Sequence, residues 1–248
     1  MGRKAKVYIG ASGWSYKHWK GKFYPDEVKP KDYMGYYTKF FKTVELNSSF
    51  YRIPNKETFV SWKEKSPKDF IFSVKANRLI THLKKLKDVK ETLDIFIENA
   101  EALEEKLGVI LFQLPPGWKF DEERFSDFLN ILPKHLRCTF EFRNPTWYND
   151  KVLELLQKYN CAFCIYELNG HISPIEVTAD FVYMRLHGPG GKYQGSYSDK
   201  TLASWADRIG HWRENKKDVF CYFDNDEAAY AAFNAQTLLE MTKEKIKI

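Results

Sequence analysis

The run GVILFQL at residues 108–114 is almost wholly apolar, and RCTFEFR at residues 137–143 is a second short run rich in strand-forming residues. Between them, residues 122–132 place apolar side chains at helical spacing. Two strand-like runs joined by one helix-length segment are typical of a βαβ unit, in which both strands lie parallel in one sheet. This segment therefore predicts an α/β fold.

The same alternation extends in both directions and gives eight strand-like runs. Only residues 168–181 separate the sixth run from the body of the seventh, and they include the turn-rich ELNGHISPIEV, so we expect the sixth helix to be short or absent. Asp88, Asp150 and Asp199 are the predicted N-caps. The runs are VYIG at 7–10, TVELN at 43–47, FIFSVK at 70–75, GVILFQL at 108–114, RCTFEFR at 137–143, AFCIYE at 162–167, FVYMRLH at 181–187 and DVFCYFD at 218–224, and the helices are predicted at 30–42, 55–65, 88–107, 122–132, 150–159, 199–214 and 227–241.

Eight βα units in 248 residues are the usual size of a TIM barrel. We therefore predict one (β/α)8 TIM-barrel domain over residues 1–248 with a degenerate sixth helix. A doubly wound open sheet is the alternative, weakened because no G-x-G-x-x-G follows the first run.

Composition excludes several classes of protein. A charged fraction of 29% and the lack of any long apolar run argue against a membrane protein, and four cysteines are too few for a disulfide scaffold. The basic start has no cleavable hydrophobic region, so we expect a cytoplasmic protein without a membrane partner. The net charge of +6 is compatible with an anionic ligand but is also common in ordinary soluble proteins.

Alternate residues of a barrel strand point to the interior, so a period of two separates inward from outward side chains. In the fifth run, Glu141 and Arg143 share one face, while Phe140 and Phe142 share the other. Polar residues on six runs point inward near the carboxyl ends of the strands, where TIM-barrel active sites are built. The inward sets on the other runs are Thr43, Glu45 and Asn47; Ser73, Lys75 and Asn77; Gln113; Tyr183, Arg185 and His187; and Tyr222 and Asp224.

Two interpretations of these polar residues stay open. In the first they form a structural network, because an unpaired ionised side chain inside a barrel is costly and Glu45 and Glu141 would neutralise Lys75, Arg143 and Arg185. In the second they form a functional pocket, which the whole set favours because a core needing only stability would be filled with Val, Ile and Leu.

Two loops at the same end of the predicted barrel fit the second interpretation. ASGWSYKHWKGKFYP at 11–25 places Trp14 and other aromatic residues among lysines, which suits stacking on a ring beside a phosphate, although a self-packed lid fits equally well. HGPGGKYQGSYSD at 187–199 contains four glycines, whose backbone N–H groups can approach an anion closely.

Several spaced motifs resemble the domain-of-unknown-function-72 family, also called YecE-like. They are GASGWSYKHWKGKFYP, VELNSSFYRIP, FIFSVK with ITH, LFQLPP, FEFRNPTW, YMRLHG with YSD, and YFDNDEAAYAAFNA, in order from about residue 8 to residue 236. The resemblance implies a TIM barrel with polar residues at the strand ends and supplies no reaction. Two positions depart from the family pattern: Asn144 stands where the family usually has histidine, and Asp224 where it usually has asparagine.

The first functional hypothesis is an enzyme, a lyase, isomerase or hydrolase without a cofactor, that acts on a small anionic ring-containing substrate such as a sugar phosphate or a nucleotide. Glu141 would be the general base or acid, Lys75 an acid or electrostatic stabiliser and His187 a proton carrier. An imine between Lys75 and a carbonyl substrate is a variant of this hypothesis. The candidate substrate-binding residues are Trp14, Glu45, Asn47, Asn77, Arg78, His82, Gln113, Arg143, Arg185, Asp224 and Asn225.

Two other hypotheses belong to different classes. In the second, Glu45, Glu141, His187 and Asp224 bind a divalent metal, as in the xylose-isomerase-like barrels that include isomerases and endonucleases. The nearby cations would repel such an ion. In the third, the first loop makes the protein a non-enzymatic module that binds nucleic acid or a small ligand, with an affinity that falls steeply with salt.

Overall fold

The computed structural model describes residues 4–244 and contains a nearly closed barrel of eight parallel strands with helices between them. The barrel strands are β1 (Val7–Ala11), β2 (Thr43–Leu46), β3 (Ile71–Lys75), β4 (Leu107–Gln113), β5 (Arg137–Glu141), β6 (Ala162–Leu168), β8 (Phe181–Leu186) and β9 (Asp218–Phe223), and β7 (His171–Ile172) is a two-residue strand antiparallel to β6. The paired order is β1-β9-β8-β6-β5-β4-β3-β2, which confirms the predicted (β/α)8 fold and excludes an open doubly wound sheet.

The helices follow most of the predicted segments. The segment predicted at 30–42 is a 3-10 turn (Pro30–Asp32) followed by a shorter helix, and the one at 88–107 ends in a 3-10 turn (Glu101–Lys106). A short helix after β2 and a π-helix (Leu79–Leu83) after β3 were not predicted. The α-helices are α1 (Tyr33–Tyr37), α2 (Ser48–Tyr51), α3 (Lys56–Lys65), α4 (Lys90–Ala100), α5 (Glu122–Ile131), α6 (Asp150–Lys158), α7 (Asp199–Glu214) and α8 (Tyr230–Glu244).

All three predicted N-caps are wrong. Asn149 and Ser198 cap α6 and α7, each accepting a hydrogen bond from the backbone N–H three residues on, and Asp150 and Asp199 are instead the first helical residues. In each pair the preceding residue is the N-cap, because its backbone is extended and its side chain carries a hydrogen-bond acceptor. Asp88 has a left-handed φ of 51° and does not cap α4.

The sixth helix is absent, as the turn-rich sequence predicts: residues 169–180 contain no helix. This segment runs antiparallel to β6, and two of its side chains accept hydrogen bonds from the backbone of that strand. Ser173 Oγ accepts a hydrogen bond from the backbone N–H of Tyr166 at 2.9 Å, and Thr178 Oγ1 accepts one from Phe163 N–H at 2.8 Å. The backbone of β6 therefore stays paired without a helix beside it.

A tyrosine hydroxyl joins the two strands that do not pair with each other, β1 and β2. Tyr37 Oη accepts a hydrogen bond from Ala11 N–H at 2.8 Å and donates one to the carbonyl of Thr43 at 3.0 Å. The two strands approach so closely that a β-carbon on Gly10 would lie 2.4 Å from the same carbonyl oxygen. The side chain from α1 thus satisfies backbone groups that a closed sheet would pair directly.

The barrel interior changes from apolar to ionised along its axis. Near the amino ends of the strands it is filled by residues such as Val109 and Phe181, and above them Tyr222 Oη lies 2.6 Å from Thr43 Oγ1 and 2.9 Å from Ser73 Oγ. Carboxylates and guanidinium groups follow at the carboxyl ends. The larger aromatic core lies outside the barrel, between the strands and the helices. Within residues 4–244, no helix combines the length and the apolar character needed to cross a membrane.

Candidate functional site

Arg185 lies at the centre of the barrel mouth, meaning the end formed by the carboxyl ends of the strands. Its guanidinium is 1% exposed and donates to both oxygens of Glu45, from Nη2 at 2.7 Å and from Nε at 2.9 Å. Nη1 donates to Glu141 at 2.9 Å, and Nη2 donates to Asp224 at 3.0 Å. One arginine on β8 therefore joins carboxylates from β2, β5 and the end of β9, a geometry for which the planar, five-donor guanidinium is suited.

Two of the carboxylates around Arg185, Glu141 and Asp224, are held in their ionised form. Burial by itself would raise the pKa of Glu141, but Arg143 and Arg185 outweigh it and hold this pKa well below its usual value. Burial likewise opposes ionisation of Asp224, and the hydrogen bond from His187 together with Arg185 lowers its pKa. A carboxylate so strongly stabilised is a weak base.

The contacts of His187 define its tautomer. Its Nε2 lies 2.9 Å from Arg143 Nη2 and 3.3 Å from Arg185 Nη1, and both guanidinium nitrogens can only donate. Nε2 must therefore accept, and Nδ1 carries the proton and donates to Asp224 at 3.1 Å. These contacts hold the ring of His187 on both sides.

Lys75 lies beside this network, and the contacts of its ammonium differ from those of every charged side chain in the network. No carboxylate and no hydrogen-bond acceptor within residues 4–244 contacts its ammonium, which lies 4.5 Å from the centroid of the Phe50 ring. Burial, with a further contribution from Arg185, lowers the pKa of Lys75 to about 8, while Glu141 and the other carboxylates oppose that decrease. The amine is therefore partly unprotonated near neutral pH.

Solvent reaches the mouth at three of these side chains. The side chain of Asp224 is 15% exposed and that of Arg143 is 9% exposed, and residue Lys75 is also 9% exposed. Glu45, by contrast, is fully buried beneath them and is bound by hydroxyl donors as well as by Arg185, with Ser12 Oγ and Tyr183 Oη each at 2.6 Å. Glu45 thus lies at the bottom of the mouth. A ligand would contact Asp224, Arg143 and Lys75 first.

Other predicted site residues shape the surrounding loops instead. Asn77 donates to Ser49 O at 2.8 Å and accepts from Leu79 N–H at 2.9 Å, and Asn225 donates to Gly195 O at 2.8 Å. The carbonyl oxygens of the Asn47 and Asn225 side chains are buried, and neither has a hydrogen-bond partner within residues 4–244.

The remaining candidates lie around the rim. His82 is half-buried, with Phe50 edge-on at 4.9 Å, and burial and Lys75 lower its pKa. Arg78 is exposed, and Gln113 is half-buried with one long contact of 3.5 Å to Leu114 O.

The aromatic first loop packs mainly on itself. Trp19 and Tyr24 are fully buried, and Trp14 packs edge-on against Trp62 of α3 at 5.8 Å. These contacts fit a self-packed lid better than an exposed stacking surface.

The glycine-rich loop is also held from within. Gly188 has a φ of 111°, and a β-carbon there would lie 2.2 Å from Gln194 O, so only glycine fits where this loop folds back.

The two departures from the family pattern have different surroundings. Asn144 lies in the loop after β5, donates to Pro116 O at 2.7 Å and accepts from Thr146 N–H at 3.1 Å, so it shapes this loop. Asp224 belongs to the charged network and adds a carboxylate to it.

The oxygens of the metal hypothesis are already engaged. Glu45, Glu141 and Asp224 all accept hydrogen bonds from Arg185, so a guanidinium lies where their oxygens converge. No group of three His, Cys, Asp or Glu side chains within residues 4–244 converges as metal ligands do. The donor set does not fit a divalent ion, because Arg185 would first have to leave.

Three residues that contact charged side chains at the barrel mouth, Tyr166, Ser12 and Phe50, were not predicted as part of the site. Tyr166 lies beneath the Arg143 guanidinium with its ring centroid at 4.5 Å, and its position two residues after the inward-facing Cys164 would have identified it. Ser12 and Phe50 lie beyond the ends of their strands, so strand periodicity gave no signal for either.

The chain was compared with known proteins. A profile of the family described as "Protein of unknown function DUF72" matches residues 8–248. The UPF0759 protein YunF of Bacillus subtilis is 26% identical over 270 residues, covering 95% of this chain and 94% of its own. A solved DUF72 family protein from Thermotoga maritima matches with a TM-score of 0.87 and 29% identity, covering 96% of this chain and 99% of that one. Another from Enterococcus faecalis matches with a TM-score of 0.80 and 20% identity, covering 96% and 95%.

Proposed function

The chain belongs to the DUF72 family, and from the side chains at its barrel mouth we propose that it is an enzyme that binds a small anionic, ring-containing substrate there and transfers protons through Lys75. The observation that carries this proposal is the nearly buried ammonium of Lys75, which has no ion-pair partner among the described residues 4–244, beside a network in which every other charge has one. A protein selected only for stability would pair this amine or replace it with an apolar residue.

The charges at the mouth favour an anionic ligand. Three carboxylates face the two arginines and Lys75, so the charges of these six side chains sum to zero only while Lys75 keeps its proton. An arriving anion meets Lys75 and Arg143, the two cations that solvent reaches. Arg143 uses Nε for Glu141 and Nη2 for His187, which leaves Nη1 to donate to a ligand.

The pKa values support Lys75 rather than Glu141 as the group that transfers protons. A general base works best when its pKa lies near the working pH, and a pKa of about 8 meets this condition. Glu141, held in its ionised form by two arginines, instead orients Arg143 and Arg185. The ring of Tyr193, which contacts His187 and is only partly buried, is the surface against which a substrate ring would pack.

Ligand binding tests the anion site directly. We expect ribose 5-phosphate or a nucleoside monophosphate to raise the melting temperature, whereas the matched neutral ribose or nucleoside does not. Arg143→Gln should abolish this shift, and Arg137→Gln, at the opposite end of β5, should keep it. An equal response of both variants, or of the charged and neutral ligands, would contradict the proposal.

A further inference from the structure

Two buried lysines in this fold have opposite surroundings. Lys106 is 5% exposed, and its ammonium donates to Lys63 O at 2.7 Å, to Ser66 O at 2.9 Å and to Ser66 Oγ at 2.9 Å. Lys75 is almost as buried, yet its ammonium has no acceptor among residues 4–244 and contacts the face of Phe50. Lys106 therefore has a structural role, whereas the lone pair of the Lys75 amine is not committed to any structural contact once its proton leaves.

We propose that Lys75 is a nucleophile that forms an imine with the carbonyl carbon of an anionic aldehyde or ketone substrate bound at the barrel mouth. This inference rests on the proposed anion-binding function and narrows its substrate class. An uncommitted amine at the carboxyl end of a barrel strand, at the same mouth as Arg143 as an anion anchor, has the arrangement that imine chemistry requires.

The covalent step balances without an oxidant or a reductant. The nitrogen lone pair attacks the carbonyl carbon and forms a C–N bond, while a proton moves from nitrogen to the carbonyl oxygen. The hydroxyl then takes up the proton that the ammonium had released and leaves as water, which breaks the C–O bond and leaves a protonated C=N bond. Lowering of the Lys75 pKa to about 8 supplies the neutral amine needed for the first event.

The imine also preserves the charge of the site. A protonated imine carries the same single positive charge as the lysine ammonium, so the three carboxylates stay balanced. A carbamate formed from carbon dioxide would replace that positive charge with a negative one. The mouth would then carry two uncompensated negative charges. The carbonyl adduct is therefore the product that these electrostatics favour.

His82 is positioned to move the protons of this step. The π-helix Leu79–Leu83 places its ring edge-on to Phe50, the same ring that Lys75 contacts. Burial and the charge of Lys75 lower the pKa of His82, so it is a neutral base at pH 7. Single-turn π-helices occur frequently at functional sites, because the extra residue re-aims a side chain.

Pyridoxal 5′-phosphate is a suitable probe, since it has an aldehyde, a ring and a phosphate in one molecule. The protein is mixed with one equivalent, the imine is reduced with borohydride to a stable secondary amine, and the labelled lysines are identified by peptide mass mapping. We expect Lys75 to be labelled at least about tenfold faster than the exposed lysines, with a rate that levels off above pH 8. Lys106 in the same sample is the buried control and should stay unlabelled.

Variants and competitors separate this inference from the proposed function. Labelling that is spread over exposed lysines and is unchanged in Lys75→Met would overturn the nucleophilic role of Lys75. If ribose 5-phosphate still raises the melting temperature in that case, the proposed anion site is kept and only the nucleophilic role of Lys75 is rejected. Conversely, equal labelling of Lys75 by pyridoxal and by its phosphate, with no protection by inorganic phosphate, would overturn the anion site and leave the nucleophile.

Discussion

Replacement of Lys75 by methionine should change how stability depends on pH. In the unfolded chain this lysine has its ordinary pKa of 10.5, whereas in the folded protein its pKa is about 8. Between these values the unfolded state binds more protons than the folded state, so the folded wild-type protein gains stability as the pH rises. At about 1.4 kcal/mol per pKa unit, this gain is about 2 kcal/mol between pH 7 and pH 9.5.

The Lys75→Met protein lacks this titration, so its free energy of unfolding should change less over the same range. Urea unfolding followed by tryptophan fluorescence at constant ionic strength measures the difference, and urea is preferred because guanidinium chloride would screen the charges. Other lysines and tyrosines titrate in both proteins and largely cancel in the comparison. At pH 7 the variant should be at least as stable as the wild type, because the lowered pKa of Lys75 means that the cost of burying its ammonium outweighs the attraction of the nearby carboxylates.

Lys106→Met is the matched control. It removes three hydrogen bonds and leaves two buried carbonyl oxygens with one donor fewer, so we expect it to destabilise the protein at pH 7. A lowered pKa of Lys75 in the folded protein would be contradicted if wild type and Lys75→Met differed by the same free energy of unfolding at pH 7 and pH 9.5, to within about 0.5 kcal/mol.

Two further variants test the charged network and the barrel closure. Arg185→Met leaves three carboxylates short of a partner and should lower the free energy of unfolding by about 3–5 kcal/mol at pH 7.5. Because the pKa of Glu141 would then rise, the loss should be smaller at pH 4.5, and urea titrations at both pH values measure it; an equal loss would show that charge is not the cause. Tyr37→Phe removes the hydroxyl between Ala11 and Thr43 and should cost about 1–3 kcal/mol. Hydrogen exchange should accelerate at the Ala11 amide, and unchanged protection there would contradict the bridging role.

Much of the fold could be predicted because it depends on local patterns. The alternation of strand-like and helical periods identified all eight barrel strands, and the turn residues after the sixth run predicted the missing helix. The N-caps were wrong because two adjacent residues could each act as the acceptor, and only the backbone angles decide between Asn149 and Asp150. The π-helix had no signal, since its hydrogen-bond pattern depends on how the loop packs at the rim.

The candidate site shows the same division. Strand periodicity of two placed Glu45, Lys75, Glu141 and Arg185 on inward faces at one end of the barrel. It did not predict which of these charges pair, and it ranked Glu141 as the acid–base residue although two arginines make it a weak base. Phe50, which contacts the Lys75 ammonium, lies on a short helix that no pattern indicated.

The sequence by itself determined the barrel and the end of it at which polar side chains gather, because the period of a strand sets which face each residue occupies. Only the tertiary structure decided that Arg185 satisfies carboxylates from three strands while Lys75 has no partner in the described part of the chain. The physical reason is that pairing and desolvation depend on distances through space between residues far apart in the chain, and the same side chain has a different pKa in each such arrangement.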